Sequence, residues 1–188
     1  MKYDLVVIGT SMGGLQALST IFSSLPKNLP IAIAIVQHRH TFSDGELIHV
    51  LQQHTLLPVI EAEDKTPIIN GNIYIAPANY HLLVEPGYFA LSTEAPVCYA
   101  RPSISVLFET AADAYLERLI GIILTGANHD GAQGLAKIKN YGGLTIVQEP
   151  STAMTPTMPK AAIAAVPDTK ILPLTEIVPF LLKYCIII

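Results

Sequence analysis

The stretch Leu5-Val6-Val7-Ile8-Gly9-Thr10-Ser11-Met12-Gly13-Gly14 decides the fold class. Four consecutive apolar residues run straight into a glycine-rich turn, with none of the polar/apolar alternation of a strand that has one wet face. A strand buried on both sides reads this way, and such strands belong to parallel sheets covered by helices. Working outward, residues 31–36, 119–124 and 144–147 are runs of the same kind. Helical periodicity follows at roughly 13–25, 43–53, 104–118, 131–141 and 176–184. Strand then helix, repeated, predicts an α/β protein. The middle breaks the rhythm. Residues 72–75, 81–84 and 88–91 read as short strands separated by Pro77-Ala78-Asn79 and Pro86-Gly87, which are turn chemistry and predict a small antiparallel excursion. With 188 residues and neither repeats nor long linkers, the chain is expected to form one domain over 1–188.

Composition narrows the function. Hydrophobic residues make up 51% and charged residues 14%, a surface lean in charge. The net charge is −4 and no Lys/Arg cluster stands out, which argues against a nucleic-acid groove. Two cysteines, Cys98 and Cys185, lack metal-ligand spacing and read as free thiols in a reducing compartment. The first residues lead into a strand instead of a secretory signal, and no apolar run is long enough to span a bilayer. Cytoplasm is the expected location.

In open parallel sheets chemistry gathers outside the carboxyl ends of the strands. After the first strand, Gly9-Thr10-Ser11-Met12-Gly13 spells G-x-S-x-G, a tight strand-to-helix turn that presents a serine hydroxyl. A plain turn and a phosphate-binding loop are the other readings of this stretch. Against the loop, the spacing is not G-x-G-x-x-G, no Walker lysine is present, and the second strand ends in Val36-Gln37-His38 without a ribose-binding carboxylate. A serine needs a base, and His38 is the first histidine past the neighbouring strand. His40 reads as a surface residue, and His49, His54 and His81 as structural ones. Past the strand at 119–124 comes Thr125-Gly126-Ala127-Asn128-His129-Asp130-Gly131. Asp130 is either an N-cap of the following helix or the carboxylate that orients His38. Ser11, His38 and Asp130 are therefore the candidate catalytic residues, each at a strand-to-helix junction.

Six segments together resemble the catalytic domain of CheB-type chemotaxis protein-glutamate methylesterases. They are Ile8-Gly9-Thr10-Ser11-Met12-Gly13-Gly14, Val36-Gln37-His38, Gly71-Asn72-Ile73-Tyr74-Ile75-Ala76-Pro77, Arg101-Pro102-Ser103 with Val106-Leu107-Phe108, Leu124-Thr125-Gly126 leading to Asp130-Gly131, and Met158-Pro159-Lys160-Ala161-Ala162-Ile163. The resemblance implies a Rossmann-like doubly wound, mostly parallel sheet with helices on both faces. It implies Ser11 as nucleophile, His38 as base and then acid, and Asp130 as its orienting carboxylate. It also implies hydrolysis of glutamate γ-methyl esters, and in some members deamidation of glutamines, on the cytoplasmic helices of chemoreceptors or related signalling proteins. Fused or associated signalling domains are further partners it suggests; no nucleic acid, membrane insertion, metal or cofactor is called for. The backbone N–H groups of Met12 and Ala127 are candidate donors to the oxyanion.

The chain departs from the family pattern at four places. Ala127-Asn128 replaces the common Met-Gly, Arg39-His40 a Met-Pro, Met12 a residue that is often small, and Ser105 a common aspartate. The first three are expected beside the site and Ser105 outside it. The chain also enters the catalytic-domain strand at once, leaving no room for an N-terminal receiver domain. A receptor- or scaffold-binding module of the same fold and a hydrolase of another ester or amide are the alternatives. Asp130→Asn is expected to slow the reaction and leave the fold intact.

Overall fold

The four apolar runs become the centre of a seven-stranded sheet. The computed structural model describes residues 3–38 and 46–185; Arg39 and His40 lie outside them. In chain order the elements are β1 (Leu5–Thr10), α1 (Gly14–Ser23), β2 (Ala32–Gln37), α2 (Glu46–Gln52), β3 (Val59–Glu61), β4 (Ile73–Ile75), β5 (His81–Glu85), β6 (Tyr88–Ser92), α3 (Ile104–Tyr115), β7 (Leu119–Ile123), α4 (Ala132–Asn140), β8 (Leu144–Gln148), α5 (Thr157–Ala165), β9 (Lys170–Leu172) and α6 (Leu174–Cys185). The large sheet runs β3-β4-β2-β1-β7-β8-β9, and all its pairings are parallel. A separate antiparallel pair, β5-β6, stands apart from it.

Alternate residues of each strand feed two cores, as a period of two requires. Val6, Ile8, Ile33, Ile35, Ile120 and Ile122 pack under Leu18 and Phe22 of α1 and Ile177 and Leu181 of α6. Leu5, Val7, Ala32 and Ala34 face Leu107 and Phe108 of α3, Leu135 of α4 and Met158 of α5. Helices thus cover both faces, and the sheet is doubly wound. The β5-β6 hairpin rests on the outside of α3 through Leu82, Val84 and Phe89, and Val84 N–H donates to Thr110 Oγ1 at 3.0 Å.

The antiparallel excursion is smaller than the sequence suggests. Ile73–Ile75 joins the main sheet, pairing in parallel with both β2 and β3. No helix among the described residues is long and apolar enough to cross a membrane.

What this topology fixes is a switch point. From β1 the chain moves to one side of the sheet to lay down β2, β3 and β4, then returns to place β7 on the other side of β1. Loops that leave neighbouring strands in opposite directions open a crevice at the carboxyl ends. The turns after β1, β2 and β7 all meet there.

Candidate active site

The Ser11 turn is stitched in from both sides. Ser11 N–H donates to Thr125 O at 3.0 Å, and His38 N–H to Thr10 O at 3.0 Å. The parallel register pairs Thr10 with Gln37, which makes Ser11 and His38 the next residues along adjacent strands. Gln37 tightens the junction further: its Nε2 donates to Ser11 O at 2.9 Å and to His38 O at 2.8 Å. Two glycines of the G-x-S-x-G stretch are required by space. A Cβ on Gly9 would stand 2.2 Å from Ile104 Cγ2, and Gly13, at φ +83°, would set one 2.7 Å from Met154 Cβ. Both serve the same end, a close approach of the Ser11 turn to its neighbours.

Asp130 is fully buried and is not the cap of its own helix; Gly131 holds that position without a side-chain bond. Instead the carboxylate receives the N-terminus of α3. Oδ1 accepts from Ser103 Oγ (2.9 Å) and Ser105 N–H (3.0 Å), and Oδ2 from Ile104 N–H (2.7 Å). The remaining bond to Oδ2 comes from His38 Nε2 at 2.9 Å. Burial alone would raise the pKa of this carboxyl, but the donors from His38, Ser105 and Ile104 outweigh it and hold the group below the ordinary aspartate value. It is therefore a carboxylate, which can only accept. The neutral His38 ring accordingly carries its proton on Nε2 and its lone pair on Nδ1.

Ser105 belongs to this cluster, contrary to the sequence reading that set it outside. Besides the N–H bond to Asp130, its Oγ accepts from Gly131 N–H at 2.9 Å and closes the turn from β7 to α4.

Ser11, His38 and Asn128 line one cleft of about 610 Å³ with Asn79, Pro96, Cys98, Tyr99, Ala100, Arg101 and Pro102. Asp130 lies behind His38. The far wall is a strap at 93–102, of which the sequence reading singles out only Cys98, Arg101 and Pro102. Val97 and Ala100 exchange backbone hydrogen bonds around a tight turn in which Cys98 (φ 50°) and Tyr99 (φ 62°) are both left-handed. Tyr99 is wholly exposed at its tip. Arg101 Nη1 closes the strap by donating to Thr93 O (2.7 Å) and Glu94 O (3.0 Å). From beneath, His81 donates from Nε2 to Ala95 O (3.1 Å) and accepts Ser103 N–H on Nδ1 (3.2 Å). That makes His81 the structural residue the sequence reading took it for.

Cys98 faces the same cleft, but burial, then the negative charges of Asp130 and Glu109, push its thiol up. A protonated thiol is a poor nucleophile. Cys98 and Cys185 are both unpaired. Among the described residues no acceptor is found for the Met12 or Ala127 N–H, and Ser11 Oγ makes no hydrogen bond. Ser11, His38 and Asn128 thus open onto one crevice, with Asp130 bonded behind His38.

The model of the CheB methylesterase family matches residues 6–181. The chain belongs to that family. A Leptospira interrogans protein provisionally named protein-glutamate methylesterase/protein-glutamine glutaminase is 47% identical over 97% of this chain and 95% of its own length. The protein-glutamate methylesterase FrzG of Myxococcus xanthus is 37% identical over 97% of this chain and 55% of that protein. In structure the chain is similar to the Thermotoga maritima CheB methylesterase catalytic domain, with a TM-score of 0.93 at 34% identity, covering 97% of this chain and 98% of that one. The doubly wound parallel fold expected from the resemblance is the fold of that domain.

Proposed function

We propose that this chain is a serine hydrolase that demethylates glutamate γ-methyl esters, and deamidates glutamines, on chemoreceptor-like signalling proteins, with residues 1–188 as one catalytic domain. The observation that carries the reading is the hydrogen bond from His38 Nε2 to the buried carboxylate of Asp130, behind a cleft that Ser11 shares. Membership of the methylesterase family supports the substrate class.

In this mechanism Ser11 Oγ attacks the ester carbonyl while His38 Nδ1 takes its proton. Asp130 holds the ring and stabilises the imidazolium. The tetrahedral oxyanion meets the N–H groups of Met12 and Ala127, and a donor of this kind is worth about 2.7–4 kcal/mol. Nδ1–H then protonates the methoxy oxygen, methanol leaves, and a glutamyl ester on Ser11 remains. Water, deprotonated by the same nitrogen, hydrolyses that ester, frees the glutamate carboxylate and returns the proton to Ser11. Two free thiols fit a reducing compartment, and we place the reaction in the cytoplasm, where receptor signalling helices would dock over the strap.

The test is methanol release from methylated receptor fragments. Ser11→Ala should lower it by about three orders of magnitude or more with the thermal midpoint unchanged, since the hydroxyl has no hydrogen-bond partner among the described residues. Release that survives Ser11→Ala would remove Ser11 as nucleophile. No release by the native chain, with receptor fragments still bound, would make this a binding module of the same fold.

A further inference from the structure

The base of this site is already occupied. Asp130 takes the proton of His38 Nε2, which leaves the lone pair on Nδ1 as the one place on the ring that can receive the proton of Ser11. That lone pair faces the Asn128 amide, with Nδ2 at 3.2 Å from Nδ1. The amide's orientation is set by its other end, because Asn128 Oδ1 accepts Asp130 N–H at 3.1 Å. Turned over, it would aim an N–H at an N–H and an oxygen at a lone pair. A ring flip of His38 would lose the bonds at both nitrogens. The arrangement thus has one consistent assignment: Nε2–H to Asp130, and Asn128 Nδ2–H to Nδ1. Ser11 Oγ makes no bond among the described residues, although it lines the same cleft.

We infer that Asn128 is a positioning residue that competes with Ser11 for the Nδ1 lone pair of His38, holding the base idle until the amide gives way. This rests on the assignment of Ser11 as nucleophile. The restraint is a neutral hydrogen bond longer than the usual 2.9–3.0 Å, and a net bond of this kind corresponds to about a threefold to tenfold bias. It tunes the enzyme and does not silence it. Ligand or partner contact that swings the Asn128 amide off Nδ1, with Asp130 left bonded to Nε2, would release the base.

The experiment measures the rate at which a small fluorophosphonate labels Ser11, in the native chain, Asn128→Ala and Asn128→Ser. Such a probe tests activation of the hydroxyl without a receptor. Serine can still accept Asp130 N–H in the turn but is too short to reach the ring. Both variants should label about threefold to tenfold faster than the native chain. The nitrogen NMR signal of His38 Nδ1 should move toward that of a free lone pair in both. Slower labelling in Asn128→Ala with native behaviour in Asn128→Ser would show that Asn128 only builds the turn, and would overturn the inference. Equal rates in all three, with an unmoved Nδ1 signal, would overturn it as well. Absence of labelling that depends on Ser11, checked with Ser11→Ala, would instead overturn the nucleophile assignment beneath it.

Discussion

The two walls of the cleft are built on different principles. The wall that carries Ser11, His38 and Asp130 is the end of a parallel sheet, where backbone ladders and buried strands set each position. The strap that faces it, 93–102, hangs on Arg101, His81 and a tight turn with two left-handed residues. One wall is fixed by the core and the other by a few side-chain bonds. Damage to the first should therefore appear in stability and chemistry together, and damage to the second mainly in substrate binding.

Asp130→Asn should give the largest effect of the substitutions that probe this contrast. Amide nitrogen on either side of the group would face an N–H or O–H that now donates to it, from Ser103, Ile104, Ser105 or His38. Turnover should fall by up to about 10⁴-fold, and stability to urea by about 2–3 kcal/mol. The sequence alone suggested a slow but intact protein; the α3 N-terminus that rests on this carboxylate changes that expectation. Because the folded-state pKa is depressed, the stabilisation is complete above the unfolded value of about 3.9 and is lost as pH falls through the lower folded value. The part of the stability gap between the native chain and Asp130→Asn that comes from the carboxylate should close in acid below the ordinary aspartate range. A gap that stays fully open well below that range would assign the stabilisation to another group.

On the other wall, Arg101→Ala frees the strap from Thr93 and Glu94. Steady-state kinetics on methylated fragments should show KM raised about threefold to tenfold with kcat within about twofold. A fall in kcat at constant KM would place the strap in the chemistry and erase the contrast. Tyr99→Gly should have the smallest effect. It relieves a left-handed residue whose ring touches only solvent, so urea denaturation should show a gain of no more than about 1 kcal/mol. A clear loss would mean that the ring secures the strap.

The same contrast explains what was legible in the sequence. Strands at the centre of the sheet must be apolar on both faces, and β1, β2, β7 and β8 announce themselves as unbroken runs. The edge strands β3 and β9 are three residues long with two exposed positions each, and leave no such trace. Helix α5 begins at Thr157 and carries Pro159 in its first turn, where proline is tolerated but hides the helical pattern. Ser11, His38 and Asp130 were nominated from their places at strand ends, which point to the crevice. Gln37, Ser103 and Ser105 were not singled out as contributors to the site, because an amide that ties two carbonyls together, or a serine at a helix start, looks like any other until the elements meet. Of the strap only Cys98, as a free thiol, and Arg101-Pro102, as part of a resembling segment, stood out; its bonds join residues that only the fold brings near.

The lateral pairing of Thr10 with Gln37 has a consequence for how such a site can be altered. Ser11 and His38 are addressed by their rung on the sheet and not by the number of residues between them. Material could be added or removed around 24–30, between α1 and β2, without moving one relative to the other, provided both strands keep their length. A single-residue insertion within either strand would turn the Ser11 or His38 side chain to the wrong face. A search for kindred sites by fixed spacing would miss most of them, whereas a search by rung would not.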